Sequence, residues 1–288
     1  MFDNEILKGP VLKCMQCGLY WVDTSNEVDL VKDFQTQEER NEAYSRTNKL
    51  ALKKLNVRSE IENSEVENKK LNFIDRIKRI DNVWNKPREN TILLEIGSAD
   101  GLFLEQARNF GYNVKGIEPN KETSKYARES LGMDVQTATL AEAEIEDESL
   151  DIAVMFHVIE HLLDPNFEIS KIRNLLKTNG LLVIETPNIN SLPYKLLRKK
   201  WRQFIPDHYW FFSEKTISYL LEKHGFKILQ IKSVGKKASL QFIFNRLGRW
   251  SKLLANLLSR IIRHLGVGKK SIYINPQDIM IIFAEKSK

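Results

Sequence analysis

From Thr91 onward, short apolar runs alternate with stretches of helical periodicity, the pattern of a parallel sheet buried on both faces and joined by crossover helices. Seven strands are predicted: Ile92 to Ile96, Asn113 to Ile117, Asp134 to Gln136, Ile152 to Phe156, Leu181 to Glu185, Lys227 to Ile231 and Ile279 to Phe283. The helices between them carry clear punctuation. Leu102 to Phe110 stops at Gly111, and Lys121 to Leu131 follows Pro119-Asn120 and stops at Gly132. Asp164 caps a helix opened by Pro165 and running to Lys177, with Asn179-Gly180 as its exit, and Ser213 caps another that Gly225 closes after His224. The fold class is therefore α/β. Before Thr91 the period changes: Glu38 to Ile80 is rich in Glu, Lys, Leu and Asn, which predicts one or two amphipathic helices, broken near Asn63-Ser64 and ended by Asn85-Lys86-Pro87. Late in the chain, Leu240, Ile243, Leu247, Trp250, Leu254, Leu257, Ile261 and Leu265 recur at three and four residues, predicting one further amphipathic helix.

Composition narrows the class. With 288 residues, 42% hydrophobic and 28% charged, the chain is long and apolar enough for a sizeable core, which excludes disordered, collagen-like and disulfide-framework proteins. Cys14 and Cys17 are the only cysteines, which suits a reducing compartment, and neither a signal peptide nor a spanning helix is expected, so the expected location is cytoplasmic. Their C-x-x-C-G spacing supplies two ligands where tetrahedral zinc wants four, so the pair reads as a turn. The net charge of +6 hides a segregation: residues 91 to 188 carry 8 basic and 17 acidic side chains, whereas 189 to 206 hold 5 basic residues and 227 to 270 hold 11, both without an acid. A one-signed surface attracts phosphates or anionic headgroups. For the helix over 240 to 265 three readings stand: contact with an anionic membrane surface, an apolar face covered by its own domain or by a second copy in a homodimer, and nucleic acid, which is disfavoured because no RNA-binding module surrounds it.

The chemistry concentrates after the first strand of the sheet. Leu93, Leu94, Glu95, Ile96, Gly97, Ser98, Ala99, Asp100 and Gly101 lead straight into a helix, so backbone can approach a nucleotide-like ligand closely. A second strand ends at Glu118, at the distance where a carboxylate takes two ribose hydroxyls. Glu95 just before the glycines would repel a pyrophosphate but suits a cationic amino-acid ligand, which disfavours a nicotinamide-dependent oxidoreductase. Candidates for proton removal cluster at strand ends: His157, His161, Glu185, and His208 within Asp207-His208-Tyr209-Trp210-Phe211-Phe212-Ser213. The four aromatics there read either as a wall for a ring or as core.

At these residues the chain resembles the class I S-adenosylmethionine-dependent methyltransferases, and more narrowly the quinone and small-molecule O-methyltransferases. The resemblance covers Thr91 to Ser233 and the last strand, and extends to FHVIEHLLDP after the fourth strand. It implies a seven-stranded sheet with a reversed final strand, S-adenosylmethionine as cofactor, and cofactor contacts from Glu95, Gly97, Ser98, Gly101, Glu118, Thr139, Leu140 and Phe156. Many relatives carry an Asp where Thr137-Ala138-Thr139-Leu140 stands, so adenine recognition here falls to backbone. In the quinone enzymes a Glu, Glu, His set can hold a divalent cation; Glu160 and His161 match it, but His157 replaces the first Glu, and no metal is expected. His161 reads equally as a packed, hydrogen-bonded residue. The implied domains are an accessory region over 1–88 and a methyltransferase domain over 89–288 with an insertion at 236–270. The expected activity is O-methylation of a glycan, a lipid-linked sugar or a quinone-like acceptor; the competing class is a module that binds the cofactor without turnover.

Overall fold

The computed structural model describes residues 7, 9–23, 60–240 and 271–287. A hairpin of β1 (Val11–Lys13) and β2 (Tyr20–Val22) precedes the long helix α1 (Glu60–Trp84). The chain then runs β3 (Ile92–Ile96), α2 (Leu102–Asn109), β4 (Asn113–Ile117), α3 (Lys121–Leu131), β5 (Val135–Gln136), β6 (Leu150–Phe156), α4 (Pro165–Leu175) and β7 (Leu176–Pro187). It continues through α5 (Leu192–Leu197), β8 (Trp210–Phe211), α6 (Glu214–Lys223), β9 (Phe226–Ser233), β10 (Lys236–Ser239), β11 (Ser271–Ile274) and β12 (Ile279–Lys286).

Seven strands form one sheet in the order β5-β4-β3-β6-β7-β12-β9. Neighbours pair in parallel from β5 to β7, and β12 lies antiparallel to both β7 and β9, so the final strand is the reversed one. Period-two alternation builds the two cores. Leu93, Ile152, Val154, Val183, Ile281 and Phe283 pack with Ile77, Ile80 and Trp84 of α1 and Phe103 and Leu104 of α2. Leu94, Ala153, Met155, Leu182, Ile184 and Ile282 pack on the other side with Ile169 and Ile172 of α4 and Ile217 and Leu221 of α6.

Several boundaries differ from the sequence expectation. The helix after Asp164 ends at Leu175, because Leu176 already pairs with Leu150 as the first residue of β7. Asn179-Gly180 is therefore no helix exit: it lies within β7, where Asn179 takes φ 60° and the pairing with β6 shifts register. Helix α1 runs unbroken through Asn63-Ser64, two residues whose helix propensity is only modestly unfavourable. In the N-terminal region, β2 pairs with β8, and α1 packs on the sheet and on α2. Cys14 to Gly18 forms the turn between β1 and β2, with the Cys17 N–H donating to Cys14 Sγ at 3.4 Å. The helix expected over 240–265 lies, from residue 241 on, outside the described residues. Among the described residues no helix is long and apolar enough to cross a membrane.

Candidate active site

Four strands deliver the site at their C-terminal ends. The turn after β3 needs both its glycines. Gly97 has φ +72°, and a Cβ there would meet Val158 Cγ2 at 2.7 Å; Gly101 has φ +75°, and its Cβ would meet Ala127 of α3 at 2.8 Å. At the end of β4, Glu118 is held by backbone: the Ala99 N–H donates to Oε2 and the Asn120 N–H to Oε1, each at 2.9 Å. Burial raises its carboxyl above the ordinary range, and those amide donors oppose the rise. Asn120 caps α3 through the Glu122 and Thr123 N–H groups.

Glu95 is the side chain here most suited to a cationic partner. It is buried, its Oε2 has no hydrogen-bond partner, and burial together with Asp100 and Glu118 pushes its carboxyl well above the usual range. The Ser98 hydroxyl, in the turn that follows, is also buried without a partner. An ammonium group restores such a carboxylate to its ionised form. The residues thus fit S-adenosylmethionine: Glu95 and Ser98 toward the amino-acid end, the Gly97 to Gly101 backbone alongside, and Glu118 toward the ribose hydroxyls.

On the side expected to border the adenine, the side chains are engaged within the protein. Thr139 donates its hydroxyl and its N–H to Glu142 Oε2 at 2.8 and 3.0 Å, and Leu140 is a core residue. Phe156 packs edge-on against Phe103 at 4.8 Å and near Phe73 at 6.5 Å, which makes it part of an aromatic cluster under the turn.

The three candidate histidines take different parts. His157, at φ 57°, lies between two carboxylates: Nδ1 is 3.1 Å from Glu160 Oε1 and Nε2 is 3.2 Å from Glu185 Oε1. Burial disfavours its charge, but Glu160 and Glu185 outweigh that and hold the imidazole up to about 9, so His157 is an imidazolium at neutral pH and a poor proton acceptor. Glu185 is in turn gripped by Arg76 of α1, which donates from Nε and Nη2 at 2.8 and 3.1 Å and from Nη2 to the Gly235 carbonyl at 3.0 Å. Burial opposes the Glu185 charge, yet His157 and Arg76 bring its carboxyl down to about 2. Glu185 is therefore a link in a buried chain of alternating charges, Arg76, Glu185, His157 and Glu160. Arg76 carries no local signal, since only packing brings α1 to the end of β7.

His161 and His208 stack edge to face at 4.6 Å on the other side of Glu160. Burial, reinforced by His161, lowers His208 to about 4, so it is neutral at physiological pH, and its Nδ1 is buried without a partner. His161 Nδ1 lies 2.7 Å from the Asp207 main-chain oxygen. A carbonyl only accepts, so Nδ1 carries the hydrogen, and in the uncharged form of the ring the lone pair is on Nε2. The 207–211 segment is stitched onto this turn: the Tyr209 N–H donates to the Glu160 carbonyl at 2.9 Å and Trp210 Nε1 to the Leu162 carbonyl at 2.7 Å. Of the four aromatics, Phe211 and Phe212 are core, which leaves Tyr209 and Trp210 half-buried at the site. Glu160, His161 and His208 each offer one ligand atom within 4.8 Å of the others. The third donor to a cation would thus be His208, not His157, and two nitrogens with one oxygen suit a borderline divalent metal better than magnesium.

The profile of a family described as a methyltransferase domain matches residues 70–231. The ubiquinone biosynthesis O-methyltransferase of Bartonella tribocorum is 32% identical over 107 residues, which span 35% of this chain and 43% of that protein. That of Cereibacter sphaeroides is 28% identical over 151 residues, covering 48% of this chain and 61% of its own. The chain thus spans less than two thirds of the length of these relatives. Among solved structures, a Bacillus halodurans protein assigned as a methyltransferase superposes with TM-score 0.53 at 14% identity, over 74% of this chain and 100% of that one, a likeness of fold. With the glycine turn, Glu118 and the reversed seventh strand in place, the chain belongs to the methyltransferase-domain family, in its class I S-adenosylmethionine-dependent form.

Proposed function

We propose that this chain moves the methyl group of S-adenosylmethionine to the hydroxyl oxygen of a planar, phenol-like ring carried on a lipid, with His161 as proton acceptor. The observation that carries this reading is the Asp207 carbonyl, which fixes the His161 tautomer with Nε2 as the lone pair. Bound in the Glu95 to Glu118 cradle, the cofactor supplies an electrophilic methyl group on a sulfonium. The chain's own residues do the rest. His161 Nε2 takes the hydroxyl proton; His208, neutral and stacked on it, keeps a second positive charge from competing; the half-buried Tyr209 and Trp210, tied to the same turn, border this side for a ring. A phenol, with a pKa of about 10, is better matched to an imidazole base than a sugar hydroxyl. The printed names of the relatives, O-methyltransferases of ubiquinone biosynthesis, support both the oxygen and the ring.

The test is production of S-adenosylhomocysteine by the purified chain with short-chain catechols, lipid-linked sugars and soluble glycans, before and after chelation of divalent metals. Turnover on catechols alone is the expected result. Turnover on sugars alone overturns the ring, and cofactor binding with no turnover on any acceptor overturns the enzyme reading in favour of a binding module. Activity that disappears on chelation and returns with a divalent cation reassigns His161 from base to ligand.

A further inference from the structure

Between β7 and β8 the chain makes an arm over residues 191–206 whose two faces differ sharply. The inner face is fixed. Tyr194, Trp201 and Phe204 are buried with Val11, Val22, Ile189 and Phe211, their rings stacked edge to face at 5.4 to 6.1 Å, and Phe204 meets Phe211 at 4.9 Å. Arg202 adds a two-pronged ion pair, Nε and Nη2 to the buried Asp278 at 2.8 and 2.9 Å. Because the inner face is clamped, what points outward does so by construction. Leu192, Leu196, Leu197 and Ile205 are 61%, 73%, 48% and 39% exposed, and Lys195, Arg198 and Lys200 are exposed among them. No acid occurs from residue 189 to 206.

Single exposed apolar side chains are ordinary, but three leucines and an isoleucine within fourteen residues, set in a one-signed basic field on a rigid support, make a surface with a particular complement. We infer that the 192–205 arm seats this chain on an anionic lipid surface, with the leucines and Ile205 entering the headgroup boundary and Lys195, Arg198 and Lys200 meeting lipid phosphates. Charge complementarity selects this occupant: apolar side chains ringed by cations and free of acids match an apolar layer with anionic headgroups. The placement also has a use. The His208 N–H donates to the Ile205 carbonyl at 3.1 Å, so the seat lies one turn from the histidines of the acceptor side. In that use alone the inference rests on the lipid-borne acceptor proposed above; the contact itself does not.

The experiment is flotation of the full chain with phosphatidylcholine vesicles, with and without phosphatidylglycerol, at low and high salt. The wild type is compared with Leu196→Glu plus Leu197→Glu, with Lys195→Glu plus Lys200→Glu, and with Arg249→Glu plus Arg260→Glu in the later basic segment. The four arm positions, Lys195, Leu196, Leu197 and Lys200, lie on the exposed face, so melting and S-adenosylmethionine binding of the arm variants should match the wild type. The inference expects salt-sensitive binding to phosphatidylglycerol vesicles that falls at least tenfold in both arm variants. It is overturned if the wild type stays with the soluble fraction at low salt, if only the Arg249 and Arg260 variant loses binding, or if the leucine variant instead dissociates a dimer of vesicle-free protein. Turnover on a soluble short-chain catechol is measured in the same variants. Loss of vesicle binding with that turnover intact supports the seat whatever the natural acceptor, whereas vesicle binding without turnover on any catechol leaves the seat standing and removes the ring.

Discussion

Replacing Glu185 by Gln keeps the shape of the buried charge chain and removes its central anion. In the wild type, His157 has its pKa raised from an ordinary value near 6.5 to about 9. Its imidazolium therefore contributes stability that is fully present below pH 6.5 and is lost as pH rises through about 9. Each pH unit in that window is worth at most about 1.4 kcal/mol, so the whole contribution is about 3 kcal/mol, an upper figure because the ring is 31% exposed. Glu185, held down at about 2, acts in the opposite window: its contribution is present above pH 4.5 and is lost as pH falls toward 2. The two shifts report partly the same contact and are not summed. Glu185→Gln leaves His157 one carboxylate, Glu160, and leaves Arg76 buried with Asp75 and the Gly235 carbonyl. At pH 6.5 the variant should be less stable by about 3 to 5 kcal/mol, the cost of breaking a buried pair. That gap should narrow by about 1 to 2 kcal/mol by pH 9, because the wild type loses what the variant already lacks. Urea denaturation of both proteins from pH 6 to 9.5, with the His157 ring followed by NMR, reads both quantities. A gap that stays constant across the window, or a wild-type His157 that titrates near 6.5, refutes the reasoning.

Glu118→Ala removes an acceptor from the ribose hydroxyls and should weaken S-adenosylmethionine by about ten- to a hundredfold, read by titration calorimetry; unchanged affinity would displace the cofactor from this strand end. Gly97→Ala forces a side chain into positive φ and against Val158, so cofactor binding and melting temperature should both fall, and Val158→Ala should restore only the part due to the clash. His161→Ala should lower turnover by about a hundredfold or more with S-adenosylmethionine affinity intact, whereas His157→Gln should cost chiefly stability; a His157 variant that melts normally yet turns over no acceptor would reverse these roles.

The elements that the sequence marked most clearly were those with local causes. Alternating apolar runs placed β3 and β4 to the residue, and Asn120, Asp164 and Ser213 marked helix starts because a cap acts within three residues of itself. The glycine turn and Glu118 were visible for the same reason: positive φ and close backbone approach are properties of a short stretch. The register shift in β7 was not, since Leu176 chooses strand over helix only by pairing with Leu150, twenty-six positions away.

By itself, then, the sequence determined the α/β layering, the cofactor turn and the list of histidines. The tertiary structure decided the surroundings of each. Three imidazoles of equal chemistry became an imidazolium clamped by two carboxylates, a buried neutral ring, and a ring whose tautomer is fixed by a main-chain oxygen, because each responds to groups brought in from distant segments. Arg76 enters from α1 and Asp207 from beyond β7, separations that no periodicity encodes. The charge state of a side chain depends on burial and on neighbours within a few ångströms, and those distances exist only once the chain has folded.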